Sequence, residues 1–206
     1  MSIGIVNYNA GNLTSVVSAL NYIGADFFVS SDADKLYQAD KIIFPGVGEA
    51  SYAMAQLKAT NCDKMLIEFA SSKRPLLGIC LGAQILFEHS QENDTKLLSI
   101  LQGKVKRFNL PSGFKVPHMG WNPLKFENVA SSNATKIFES VRDNSSFYFV
   151  HSYYMEPKDS KICVGSCDYG KQFCAACCSD NIFALQFHPE KSATSGLQIL
   201  KNFMKL

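Results

Sequence analysis

Between residues 3 and 89 the chain alternates short apolar runs with stretches of helical spacing, and this alternation sets the fold class. Residues 3–7 read as a short buried strand, followed by a loop at Asn9-Ala10-Gly11-Asn12. From Leu13, apolar residues fall at Val16, Val17, Leu20 and Ile23 before Gly24, which is one helical face closed by a glycine. Residues 27–29, 41–44 and 75–79 read as further strands, and 50–58, 62–71 and 81–89 as helices. Parallel neighbours need a long crossover between them, and a helix supplies it. The pattern therefore predicts an α/β fold with a mainly parallel central sheet and helices on both faces.

The second half changes character. Strand-like runs lie at 105–108, 115–117, 146–150, 153–155, 162–167, 173–178 and 183–187. Turn chemistry separates them, as at Pro111-Ser112-Gly113, Asp168-Tyr169-Gly170 and Ser179-Asp180-Asn181. These runs are expected to add antiparallel strands to the parallel core, with 195–204 closing the chain as a helix. No repeat, linker or low-complexity tract interrupts the 206 residues, so a single domain spanning 1–206 is expected.

Charge and hydropathy exclude several classes of function. The formal net charge is +2, and the longest basic patch, Lys104-Val105-Lys106-Arg107, is too short for a nucleic-acid surface. No apolar run approaches the roughly 20 residues that span a bilayer, so no membrane partner is expected. Met1-Ser2 leads directly into the first strand without a charged targeting region, and a cytoplasmic location is expected. The seven cysteines are then expected as thiols. Cys174-Ala175-Ala176-Cys177 is a C-x-x-C with no second pair, so packing as small hydrophobes is favoured over a zinc site. Cys62, on a helix, is expected in the core.

Three segments carry chemistry. Gly78-Ile79-Cys80-Leu81-Gly82 lies between an apolar strand and a helix. A sharp strand-to-helix turn exposes a nucleophile, and glycine on each side lets neighbouring backbone approach. The following helix start favours thiolate and offers N–H groups to an oxyanion. Alone, the pentapeptide also fits a buried structural cysteine. Phe187-His188-Pro189-Glu190 follows an apolar run. Extended backbone would set His188 and Glu190 on one side, so that the carboxylate fixes the imidazole tautomer. Alone, His188 also fits a satisfied histidine at a strand end. Pro45-Gly46-Val47-Gly48 is a second glycine turn whose N–H groups could complete an oxyanion hole, and it lacks the P-loop pattern. His89, at the end of a predicted helix, has no visible partner.

Taken together and in this order, the three segments resemble the class I glutamine amidotransferase family, whose fold is three-layered. Tyr8-Asn9-Ala10-Gly11-Asn12-Leu13, Pro117-His118-Met119-Gly120-Trp121-Asn122, Phe147-Tyr148-Phe149-Val150-His151-Ser152-Tyr153 and the QFHPEKS stretch over 186–192 narrow the resemblance to one branch. Its members are glutaminase subunits in histidine biosynthesis. The resemblance covers the chain from end to end. It implies hydrolysis of glutamine to glutamate and ammonia, with Cys80 as nucleophile, His188 as general acid/base and Glu190 as its orienter. Val47, Gly48 and Leu81 match the oxyanion positions. Gly48, Gln84, Glu92, His151, Ser152 and Tyr153 match positions around the glutamine. Asn12, Trp121, Tyr148 and Lys191 match an interface with a cyclase/synthase subunit, in a heterodimer that makes imidazole glycerol phosphate and AICAR. No metal and no cofactor are implied.

One loop departs from the branch. Its usual pattern is D-Y-G-x-G-N-L-R-S-V, and here Asn7, Asn9 and Thr14 replace the Asp, the first Gly and the Arg. A paralogous glutaminase feeding a sugar-amidating synthase is therefore the alternative. A cysteine peptidase on a similar α/β fold would share the nucleophile turn, and would not need the Val47 turn or the H-M-G-W-N stretch.

Overall fold

The computed structural model describes residues 2–8, 13–129 and 133–206, and the predicted loop containing Asn12 lies outside them. The elements of the first half are β1 (Ile3–Val6), α1 (Leu13–Tyr22), β2 (Phe27–Ser30), α2 (Ala33–Tyr37), β3 (Lys41–Gly46), α3 (Ala50–Ala59), α4 (Cys62–Ser71), β4 (Leu76–Cys80) and α5 (Leu81–Ile85). The remainder runs β5 (His89–Ser90), β6 (Thr95–Lys96), β7 (Gly103–Arg107), β8 (His118–Pro123), β9 (Lys125–Phe126), α6 (Ala134–Ile137), β10 (Ser146–His151), β11 (Tyr153–Pro157), β12 (Cys163–Asp168), β13 (Gln172–Ser179), β14 (Ile182–Leu185) and α7 (Ala193–Lys205).

The main sheet runs β2-β1-β3-β4-β14-β13-β11-β7-β5-β6, with β12 on β13 and β9 on β12. The strands from β2 to β14 pair in parallel, and β13 pairs antiparallel with β14, β11 and β12. A parallel core with antiparallel additions is thus what the two halves of the sequence build, except that β8 and β10 pair only with each other, in a separate two-stranded antiparallel sheet. Alternation along the strands fills both faces. Ile5, Ile43, Leu77 and Ile79 pack with Val16 and Leu20 of α1 and Ile199 and Phe203 of α7. Val6, Ile42, Phe44 and Leu76 face the other way, onto Leu36, Leu57, Leu66 and Phe69 of α2, α3 and α4. Cys62 is fully buried among the latter.

Three expectations need correction, and one helix was not foreseen. The helix read over 81–89 stops at Ile85. Leu86 and Phe87 are fully buried like Ile85, and a segment buried all round gives no helical face to count. His89 instead starts β5, and its Nε2 meets Asp94 Oδ1 at 2.7 Å. The strand read at 115–117 is absent. The ladder begins one residue later at His118, because Pro117 has no N–H to give it. The sequence reading missed α2 despite a legible start: Asp32 Oδ1 accepts from the N–H groups of Asp34 and Lys35 at 2.9 and 3.2 Å.

Candidate active site

Cys80 ends β4 and α5 begins at the next residue. Its backbone sits at φ 54°, ψ −111°, a conformation that costs an L-residue on the order of 1–3 kcal/mol. Two glycines make the turn possible. A Cβ on Gly82 would fall 1.9 Å from the Phe44 carbonyl oxygen, and one on Gly78 would fall 2.8 Å from the Ala83 Cα. Gly46 of β3 is the register partner of Cys80, so the Pro45–Gly48 turn (residues 45–48) lies alongside the thiol. Gly48 has φ +93°, where glycine alone is at ease.

The imidazole arrives from the next strand. β14 runs parallel to β4 with Leu185 opposite Ile79, so the residues after Leu185 leave the sheet at the edge where Cys80 stands. His188 is extended, at φ −97° and ψ 96°. The expected extended path to Glu190 is only half observed, because Pro189 opens a single 3-10 turn over Pro189–Lys191. That turn still brings Glu190 Oε1 to 2.7 Å from His188 Nδ1, with the two side chains 1% and 2% exposed. The His188 backbone is clamped as well. Its N–H donates to the Tyr148 carbonyl at 2.9 Å, and its carbonyl accepts from Ser192 Oγ at 2.6 Å. Ser192 Oγ in turn accepts from the Tyr148 N–H at 2.9 Å.

His188 Nε2 makes no hydrogen bond of ordinary length and is buried. Burial alone would lower the basicity of this ring. The Cys80 sulfur and the Glu190 carboxylate outweigh burial and hold His188 up at about 10.

Cys80 and His188 share the wall of one cavity of about 420 Å³. Val47, Gly48 and Leu81 line it, and so do Gln84, Glu92, His151, Ser152 and Tyr153. Every residue expected at the oxyanion or around glutamine is therefore on this one wall. Pro117 and Val150 complete the lining; both lie inside quoted motifs but were given no role from sequence. Glu92 has a second task. Its Oε2 accepts the Ala50 N–H at 2.7 Å, and so it caps α3 from a distant segment. Burial raises its carboxyl, with the Ala50 N–H opposing and Glu49 adding to the rise.

A chain of directed hydrogen bonds leads from this wall to β8. His151 Nδ1 lies 2.8 Å from the Tyr153 carbonyl and must donate to it, which leaves Nε2 as an acceptor. His118 Nδ1 sits 3.1 Å from that Nε2 and therefore carries the proton. Asn122 Nδ2 approaches His118 Nε2 at 3.4 Å and donates to the Asp168 carbonyl at 2.9 Å. Both rings are neutral. Burial lowers His118 to about 4; burial, with the neighbouring His118 and His188 adding to it, lowers His151 to about 3.

The residues expected at an interface lie outside the cavity. Trp121 on β8 is 54% exposed and faces Tyr148 on β10, with ring centroids 6.2 Å apart. Met119, two residues before it on the same strand, is 62% exposed, and Phe114 and Val116 of the preceding segment are exposed as well. Lys191 is half-buried at the end of the turn that carries Glu190. Asn12 falls outside the described residues.

Comparison with known proteins adds a family. The family model described as glutamine amidotransferase class-I matches residues 5–206. The imidazole glycerol phosphate synthase subunit HisH of Dehalococcoides mccartyi is 44% identical over 205 residues, covering 99% of this chain and 97% of the relative. The protein of the same name from Acinetobacter baylyi is 45% identical over 204 residues, covering 98% and 97%. Among solved structures, PurLQS from Thermotoga maritima superposes with a TM-score of 0.74 at 20% identity, over 99% of this chain and 97% of that one. A crystal structure of a glutamine amidotransferase gives 0.73 at 16% identity, over 98% and 97%. At these identities the structures speak for the fold alone.

Proposed function

The chain belongs to the glutamine amidotransferase class-I family, and from that premise we propose that it is the glutaminase subunit of an imidazole glycerol phosphate synthase. It hydrolyses glutamine through Cys80, His188 and Glu190. The ammonia passes to a cyclase/synthase subunit that makes imidazole glycerol phosphate and AICAR in histidine biosynthesis. The observation that carries the reading is the His188–Glu190 hydrogen bond beside a cavity that Cys80 and His188 share.

The chemistry is acyl transfer. The Cys80 thiolate attacks the side-chain amide carbon of glutamine, and charge builds on the amide oxygen. The Leu81 N–H and the Val47–Gly48 peptide (residues 47–48) receive that charge; one such donor is worth on the order of 3 kcal/mol in the transition state. The imidazolium of His188, kept charged by its two neighbours, protonates the departing nitrogen. A thioester remains on Cys80 with ammonia released. His188 then takes a proton from water, hydroxide adds to the thioester, and glutamate leaves with the thiolate restored. Gln84, Glu92, His151, Ser152 and Tyr153 surround the amino-acid end of the substrate. Losing one oxyanion donor idles such a site, so a Val47–Gly48 peptide that turns when the partner docks would couple hydrolysis to demand.

Asn12, Trp121, Tyr148 and Lys191 form the contact with the synthase, and the exposed apolar face around Trp121 supports this assignment. The protein acts in the cytoplasm as a single-domain subunit of a heterodimer. No helix among the described residues is long and apolar enough to cross a membrane. The replacements at Asn7, Asn9 and Thr14 favour a second reading, in which the partner is a sugar-amidating synthase.

Purification of tagged chain from its native cells tests both readings. The histidine-pathway cyclase should come down with it, and adding that cyclase with its substrate should raise glutamine turnover. Cys80→Ala should abolish turnover while the pair still forms. Capture of a different synthase would select the second reading. Undiminished glutaminase in Cys80→Ala would remove the first and second together.

A further inference from the structure

Gln186 has no part in the chemistry above, yet it is fully buried against the nucleophile. It lies between β14 and His188, and its backbone N–H donates to the Ala175 carbonyl at 2.9 Å. Its side-chain amide bridges two residues of the site. Oε1 accepts from Gln84 Nε2 at 2.9 Å, and Nε2 stands 3.9 Å from the Cys80 Sγ.

Which end of an amide is oxygen must be decided from its network. Here the network leaves one choice. Gln84 Nε2 also lies 2.9 Å from the main-chain carbonyl of Tyr153. A carbonyl only accepts, so Gln84 must turn its NH2 group there. The second N–H of that group points at Gln186, which must answer with oxygen. The NH2 of Gln186 is then left facing the sulfur. One backbone carbonyl thus fixes the direction of two amides.

We infer that Gln186 is a positioning residue for the glutaminase reaction: held by Gln84, it keeps an N–H on the Cys80 sulfur and favours thiolate over thiol. The inference rests on the reading of Cys80 as the nucleophile. A hydrogen bond to sulfur strengthens when the sulfur becomes an anion. Gln186 is inaccessible to water, so its dipole acts without solvent screening. It also has something to oppose. The Val150 carbonyl oxygen lies 3.9 Å from the same sulfur, and its negative end disfavours a thiolate. The titratable groups acting around the thiol and its base are His188, Glu190, His151 and Tyr8, with Glu92 on the same cavity wall. Burial keeps His151 and Tyr8 neutral, which leaves the His188–Glu190 pair as the charged neighbours. Gln84 and Tyr153 line the cavity, so a substrate that moves either one also moves the amide on the sulfur.

The test is the rate at which iodoacetamide alkylates Cys80, read by peptide mass spectrometry from pH 5 to 9, in the full chain and two variants. In Gln186→Glu one carboxyl oxygen still accepts from Gln84 and the other faces the sulfur, so shape and hydrogen bond are kept. The ionised carboxyl repels a thiolate, and alkylation at pH 8 should fall about tenfold or more, with relative recovery at low pH where the protonated acid donates. Gln186→Met removes the donor without adding charge. Its profile should move to higher pH, with a loss of about three- to tenfold at pH 7. Thermal melting shows which variants are folded, and either one alone decides. A folded variant whose profile overlays that of the unsubstituted chain would overturn the inference. Failure of the reading beneath it looks different: in the unsubstituted chain, a chloroketone analogue of glutamine would leave Cys80 unlabelled.

Discussion

Glu190 Oε1 lies 2.7 Å from His188 Nδ1, and neither side chain keeps more than 2% of its surface in water. That contact orients the ring. Nδ1–H donates to the carboxylate, and Nε2 is the nitrogen that looks into the cavity. Because Glu190 and Cys80 hold His188 up at about 10 from an ordinary 6.5, the ring stays charged through the neutral range.

Glu190→Gln should therefore lower kcat by on the order of 100-fold with little change in KM, since it removes the orienting charge and leaves the pocket wall intact. Stability carries a second signature. A base whose folded value is raised contributes stability that is complete below about 6.5 and is lost as pH climbs through about 10. Urea unfolding should show the variant weaker than the unsubstituted chain at pH 6. The gap should narrow steadily toward pH 10, and a gap independent of pH would contradict the assigned charge.

His118 and His151 titrate in the opposite sense. Burial holds them at about 4 and about 3, so the folded chain keeps both neutral while the unfolded chain takes up protons below about 6.5. Stability should fall as pH drops from 6.5 toward 4. His118→Gln can donate to His151 Nε2 and accept from Asn122 without titrating. It should flatten that slope in urea unfolding measured across the window, while costing no more than about 1 kcal/mol at pH 7.

The sequence displays Cys80, His188 and Glu190 because each sits in a segment whose local chemistry is unusual: a strand end between glycines, or a histidine fixed by a following proline. It also implies the parallel core, since apolar runs and helical spacing alternate at crossover length. The end of α5 was hidden because Ile85, Leu86 and Phe87 are all fully buried, and periodicity needs an exposed face to be visible. Gln186 was hidden for a different reason. A glutamine in a strand exit carries no local signal, and its orientation depends on Tyr153 and Gln84, which are distant in sequence.

The glycines of the two turns should separate packing from conformation. Gly82→Ala places a carbon 1.9 Å from a backbone oxygen that cannot move away, and should cost about 3 kcal/mol or more or prevent folding. Gly48→Ala meets nothing within 4 Å, and only its φ of +93° opposes the change. Its stability loss should stay near 1–2 kcal/mol. Turnover should drop by on the order of 100-fold, because the oxyanion turn is displaced. Melting curves beside kcat make the comparison, and Gly48→Ala with full activity would remove Val47 and Gly48 from the mechanism.

Tyr8 offers a gain in stability instead. Its ring is buried and packs 5.4 Å from that of Phe44, and its hydroxyl finds no hydrogen-bond partner among the described residues. The hydroxyl is crowded as well, since a Cβ on Gly46 would lie 2.5 Å from it. Burial, with the charge of Cys80 adding to it, keeps the phenol protonated at any working pH. An unsatisfied buried hydroxyl costs about 1–3 kcal/mol, and phenylalanine fills the same space without it. Tyr8→Phe should therefore raise the melting temperature by roughly 2–4 °C for each kcal/mol recovered. Glutamine hydrolysis by the isolated chain should be unaltered, because the hydroxyl touches neither Cys80 nor His188 through a hydrogen bond. A fall in melting temperature would mean that the hydroxyl has a partner in solution, which amide exchange on either side of Gly46 would then locate.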